Sequence, residues 1–170
     1  DPNDFECHRM QAEVYLSMHD FEKSKISGQK ATSMNPNDPR VISVYGETLL
    51  RVNELEKGIE YLEKAYELDP IPQGQTTSDR RLAALFLAYF LRSDFDHCQK
   101  LNKDIVNIDI RTWLLNSYMC KQKEINIDEE SWFISGLSQF KDSNWEMEVD
   151  RFHLNDDSLK GHLTDFAKSI

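Results

Sequence analysis

Prolines 2, 36 and 70 stand 34 residues apart, and the phrase DPNDFEC around the first is nearly repeated as NPNDPRV around the second. A fixed period of this size makes the chain a stack of one supersecondary unit, because a unit so small cannot bury its own apolar face and must share it with a neighbour. The same offset pairs residues by size: Ala12 with Gly46, Ser24 with Gly58, Ala31 with Ala65, and Phe21 with Leu55. Each unit therefore reads as helix, short turn, helix. Small residues let the two antiparallel helices approach closely, and the large apolar residue after MHD or VNE packs back on the first helix from the start of the second. Proline ends the second helix by excluding the αR conformation in the residue before it. Asp38 before Pro39 reads as an N-cap followed by proline at the first helical position.

The pattern continues after an insertion. Ile71 to Asp79, IPQGQTTSD, has the proline, glycine and hydroxyl residues of a lengthened loop. Beyond it LRSDF aligns with LRVNEL with one residue fewer, which gives Phe95 the role of Leu55 and Cys98 that of Gly58. A weaker fourth unit runs from Arg111 to about Phe140, with Trp113 and Leu114 on its first helix and Trp132, Phe133 and Leu137 on its second. Leu159, Leu163, Phe166 and Ile170 then recur at spacings of four, three and four, an amphipathic terminal helix capped by Asn155 or Asp156 that covers the apolar end of the stack. The expected organisation is one domain over 1–170, with units at about 5–38, 39–72, 78–110 and a degenerate 111–140, and a closing helix over about 156–169. Asp1 and Pro2 read as the exit of an earlier unit, so the chain is expected to be a piece of a longer protein.

Composition narrows the function. Thirty acidic against 20 basic residues give a net charge of -10, a field that repels nucleic-acid backbones and anionic lipid surfaces. Cys7, Cys98 and Cys120 are odd in number and widely spaced, which suits packing residues in a reducing, cytoplasmic setting rather than a disulfide framework. No glycine-rich phosphate loop is present, and the histidines lack metal-ligand spacing, so no cofactor or metal is expected. The acidic pairs Glu129–Glu130 and Asp156–Asp157 fall at helix starts, where the dipole favours them, and read as caps rather than as an acid/base pair. The apolar run Leu82 to Leu91 is too short to cross a bilayer, which leaves a buried helix or a self-association surface.

The period, Tyr45, Gly46, Gly58, Ala65 and Pro70 together resemble the tetratricopeptide repeat, although Ile42 stands where that family often has tryptophan and Gln11 and Gly28 occupy usually apolar positions. The resemblance implies an all-α, right-handed α-α superhelix, a solenoid of three to four helix pairs with a C-terminal capping helix, which works through protein-protein contact and is not an enzyme. In such arrays the second, fifth and ninth positions of each first helix face a groove. They are Glu6, Arg9 and Glu13, then Arg40, Ser43 and Glu47, then, aligned by LRVNE, Arg81, Ala84 and Ala88. That groove is expected to take an extended or helical peptide or a partner domain. Arg9, Glu13 and Val44 stand where a carboxylate clamp needs lysine and asparagine, so that mode is excluded. Arg151, Phe152, Asp156, Leu159, Leu163 and Phe166 are similar to the end of the tetratricopeptide region of bacterial class III adenylate and guanylate cyclases and of some winged-helix regulators. This implies a regulatory appendage of a larger signalling protein. A stand-alone scaffold and the repeat segment of a glycosyltransferase are the alternatives, the latter disfavoured by a closing helix at the C-terminal end.

Overall fold

The structure, a computed structural model, describes residues 4–170; the exit read at Asp1 and Pro2 lies outside them. Ten helices and no strand occur among the described residues: α1 Phe5–Ser17, α2 Phe21–Met34, α3 Pro39–Arg51, α4 Leu55–Leu68, α5 Asp79–Leu91, α6 Phe95–Asp104, α7 Ile110–Gln122, α8 Ser131–Phe140, α9 Trp145–Asp150 and α10 Asp157–Ser169. Short polar side chains start most of them. Asp20, Asp94, Asp109 and Asp156 each accept a hydrogen bond from the backbone N–H three residues on, and Asp38 accepts from Arg40 with Pro39 in the first turn. Of the two caps expected for the terminal helix, Asp156 is the one used.

Hairpins α1–α2, α3–α4, α5–α6 and α7–α8 share one turn. The N–H of Asp20, Glu54, Asp94 and Ile125 donates to the carbonyl of Tyr15, Leu49, Tyr89 and Cys120, each at 2.9 Å, while the N–H of His19, Asn53, Ser93 and Glu124 donates to Leu16, Leu50, Phe90 and Lys121. This is the Schellman motif, which satisfies the last carbonyls of the first helix by placing one residue in the left-handed region. His19, Asn53, Ser93 and Glu124 occupy that position with φ between 56 and 62°, although none is glycine. The turns fix the register of the third hairpin. Asn53 corresponds to Ser93 and Leu49 to Tyr89, so LRVNEL and LRSDF are not separated by a deletion; Arg51 corresponds to Leu91 rather than to Arg92.

The close approach inside each hairpin is equally regular. Ser24 Oγ donates to the Ala12 carbonyl at 2.8 Å, a Cβ on Gly58 would lie 3.1 Å from the Gly46 carbonyl, and Cys98 Sγ sits 3.7 Å from the Phe86 carbonyl. The second helix thus places a small or hydrogen-bonding residue against a main-chain oxygen of the first, twelve residues earlier. Gly28, unusual for the repeat, makes room between hairpins: a Cβ there would lie 2.9 Å from the Tyr45 ring. Cys98 and Cys120 are buried, and burial pushes the Cys98 thiol up to about 12; Cys7 is exposed and does no packing.

Leu82 to Leu91 forms most of α5. Leu82, Leu85, Phe86, Leu87 and Tyr89 are all buried, so the run is core between hairpins, and the expectation of a self-association surface there is corrected. The fourth hairpin centres on Trp113, fully buried and stacked between Phe133 at 5.7 Å and Trp145 at 6.1 Å, with its indole N–H donating to the Phe133 carbonyl at 3.3 Å. Trp145 belongs to α9, a short helix for which the sequence pattern gives no repeat position. It packs on α7, and α10 then lies against α7 and α9. Leu163 is fully buried, whereas Ile170 at the end of the stripe is exposed.

Candidate functional site

On α1 and α3 the expected inner positions carry a connected set of charges. Arg9 lies 2.6 Å from Glu6 and 2.7 Å from Glu13, one turn away on either side, as helical spacing dictates. Arg40 pairs with Asp38 at 2.7 Å and reaches across to Glu6 at 3.5 Å, tying the starts of the two helices together. The hydrogen bond from Arg9 holds the Glu6 carboxyl below its ordinary value, and that from Arg40 does the same for Asp38. Carboxylates held ionised in this way are poor proton carriers at neutral pH and good electrostatic contacts. Ser43 is buried and Glu47 is half-buried.

The third hairpin departs from the expectation. With the register fixed by its turn, the residues equivalent to Arg40, Ser43 and Glu47 are Arg80, Ala83 and Leu87. Arg81, Ala84 and Ala88 correspond instead to Val41, Val44 and Thr48, all buried, of which Thr48 has its Oγ1 2.8 Å from Ser24 Oγ in the preceding hairpin. Their burial agrees: Arg81 is only 5% exposed and donates to the Asp69 carbonyl and carboxylate at the end of α4, while Ala84 and Ala88 are buried in the core. The one-residue gap inferred between LRVNEL and LRSDF rotated the assignment by about 100° around the helix, from the inner face to the face between hairpins.

Nor is the inner surface open along its whole length. Arg51 stands one turn beyond Glu47 on the same face of α3, yet it is only 2% exposed. Its carbonyl accepts a hydrogen bond of 2.7 Å from the side chain of Asn155, in the segment joining α9 to α10. Two residues earlier His153 Nδ1 lies 2.6 Å from His19 Nε2 in the first turn, with the rings edge to face, and Phe152 and Leu154 between and beside them are 2% exposed. The C-terminal segment thus folds back from the fourth hairpin across the second to the first. Burial pushes the His153 imidazole below its ordinary value, helped by the neighbouring His19 and Arg51 charges and opposed by Asp150. What remains accessible is the charged surface of Glu6, Arg9, Glu13, Arg40 and Glu47, together with Arg80. Extending the positions two, five and nine by one further turn would have found Arg51; no local pattern announces the hydrogen bond from Asn155 to its carbonyl.

The tetratricopeptide repeat model matches residues 40–72, which are α3, α4 and the start of the following loop. No curated protein matches the chain in sequence. Tetratricopeptide repeats mediate protein-protein interaction and are not catalytic, in keeping with an all-helical stack of hairpins. No helix among the described residues is long and apolar enough to cross a membrane.

Proposed function

We propose that the chain is a protein-binding module whose partner lies along the inner faces of α1 and α3, contacting Glu6, Arg9, Glu13, Arg40 and Glu47. The observation that carries this reading is the continuity of these charges across two hairpins, Arg40 to Glu6, in the part of the groove that the C-terminal segment leaves uncovered. Alternating acids and arginines suit a peptide with charges of both signs, which would exchange the internal pairs for intermolecular ones. Such exchange gives specificity more than raw affinity. The test is a peptide-array screen with the wild-type chain, R9E and R40E. Peptides that bind the wild type saturably and are lost with either reversal support the groove; equal binding by all three chains, or no saturable binding, rejects it.

The finer reading, a regulatory appendage of a larger signalling protein, rests on Arg151, Phe152, Asp156, Leu159, Leu163 and Phe166. Phe152 and Leu163 are buried and Asp156 caps α10, so packing and capping account for these three. The native mass of the intact protein, with mapping of what precedes Asp1, separates the possibilities. A domain of cyclase or winged-helix size supports the appendage, and further 34-residue units support a scaffold.

A further inference from the structure

Two imidazoles from distant parts of the chain meet nitrogen to nitrogen. His153 Nδ1 lies 2.6 Å from His19 Nε2, and the contact joins the segment between α9 and α10 to the α1–α2 turn, 134 residues earlier. At that separation one nitrogen donates and the other accepts, so the pair shares a single proton. Both histidines are set by their backbone before anything binds. His19 holds the left-handed position of its Schellman turn at φ 60°, and His153 stands at φ 54° with its N–H donating to the Asp150 carbonyl at 3.1 Å. His19 is exposed on the wall of an open cleft that also carries Asp20 and Glu22, and His153 is half-buried behind it.

An ion that accepts imidazole lone pairs can take the place of the shared proton. Metal–nitrogen bonds of about 2.0–2.1 Å put two neighbouring ligand nitrogens about 3 Å apart, so the pair has to open by roughly 0.5 Å. Rotation of the exposed His19 side chain supplies that opening. Among the described residues no third histidine, cysteine or carboxylate completes a metal cage, so water fills the remaining positions. Such a site selects ions that bind imidazole strongly, Cu²⁺ ahead of Zn²⁺, and not the oxygen-seeking Mg²⁺. The charges around His153 divide: Asp150 favours a cation there, whereas Arg51 on α3, Arg111 on α7 and a protonated His19 oppose one. Burial and those same cations hold the His153 imidazole below its ordinary value, hence neutral near pH 7, which is the form that coordinates metal.

We propose that His19 and His153 form a two-histidine site for a divalent transition-metal ion, which clamps the C-terminal segment to the first hairpin. Local spacing does not reveal such a pair, because its members are 134 residues apart. The site uses none of the charged groups assigned to the groove, and the two readings stand or fall independently. Zn²⁺, with Mg²⁺ as control, is titrated calorimetrically near neutral pH into the wild-type chain, H19N and H153N, and thermal melts follow each mixture. Asparagine removes the imidazole and tolerates the positive φ. The wild type should bind one equivalent of Zn²⁺ saturably and melt higher with it, while each variant binds it more weakly by about tenfold or more. Mg²⁺ should do neither, and acidification below about pH 6 should abolish the Zn²⁺ site as both rings take up protons. If a variant fails to fold, the electron paramagnetic resonance spectrum of the wild type with one equivalent of Cu²⁺ decides alone, and coupling to two imidazole nitrogens is required. The proposal is overturned if Zn²⁺ does not saturate, if bound Zn²⁺ leaves Tm unchanged, or if Cu²⁺ couples to fewer than two such nitrogens. It is also overturned if either folded variant binds Zn²⁺ like the wild type, which would place the ion at Cys7 or another histidine.

Discussion

Replacing Gly136 by alanine tests whether the fourth hairpin is held by contact with Trp113. A Cβ built on Gly136 would lie 2.1 Å from the indole Nε1, 2.2 Å from Cδ1 and 2.6 Å from Cε2. The ring would have to recede by about 1.5 Å to reach an ordinary separation. It has nowhere to go, because Phe133, Phe140 and Trp145 pack around it at 5.6 to 6.1 Å between ring centres. Overpacking of a rigid ring costs about 1–3 kcal/mol, and loss of the Trp113 hydrogen bond to Phe133 adds about 1 kcal/mol. Alanine's better helix propensity returns about 1 kcal/mol. The net expectation is destabilisation of about 1–3 kcal/mol, or a Tm lower by roughly 2–12 °C for a chain of this length. The internal control is Gly161→Ala in α10, where no heavy atom lies within 4 Å of the new methyl; there only the propensity acts, and stability should rise by about 0.5–1 kcal/mol. Urea melts followed by circular dichroism and tryptophan fluorescence measure both. A G136A chain as stable as the wild type, with unchanged near-ultraviolet dichroism, would refute the packing argument.

Two further outcomes are expected. His153 has its folded pKa below the ordinary 6.5, so the unfolded chain takes up its proton first. Its contribution is therefore full above that value and is lost as pH falls. Tm should drop between about pH 7.5 and 5.5, above the range in which carboxylates titrate, and His153→Asn, which keeps a residue tolerant of φ 54°, should flatten that slope; an unchanged slope counts against the histidine contact. Ser93 holds φ 61° in the third turn with a side chain that disfavours it, so Ser93→Gly should stabilise by about 0.5–1 kcal/mol in the same melts; a loss of stability would mean that the turn is held by contacts of the serine itself.

The 34-residue period, the small residues at 12, 46 and 58 and the Asp38–Pro39 cap made the helical hairpins legible because each is a local signal. Helix periodicity, capping and close approach act within one unit and need no knowledge of the rest of the chain. The turns were less legible, since the left-handed positions are held by His19, Asn53, Ser93 and Glu124, and without glycine to mark them the third hairpin's register slipped by one residue. That single slip moved Arg81, Ala84 and Ala88 from the face between hairpins to the groove on paper. The hydrogen bond from Asn155 to the Arg51 carbonyl, 104 residues distant, and the meeting of His19 with His153, 134 residues distant, belong to tertiary structure alone. Contacts at such separations leave no periodic trace, because they depend on how four stacked units bring the C-terminal segment back across their own surface.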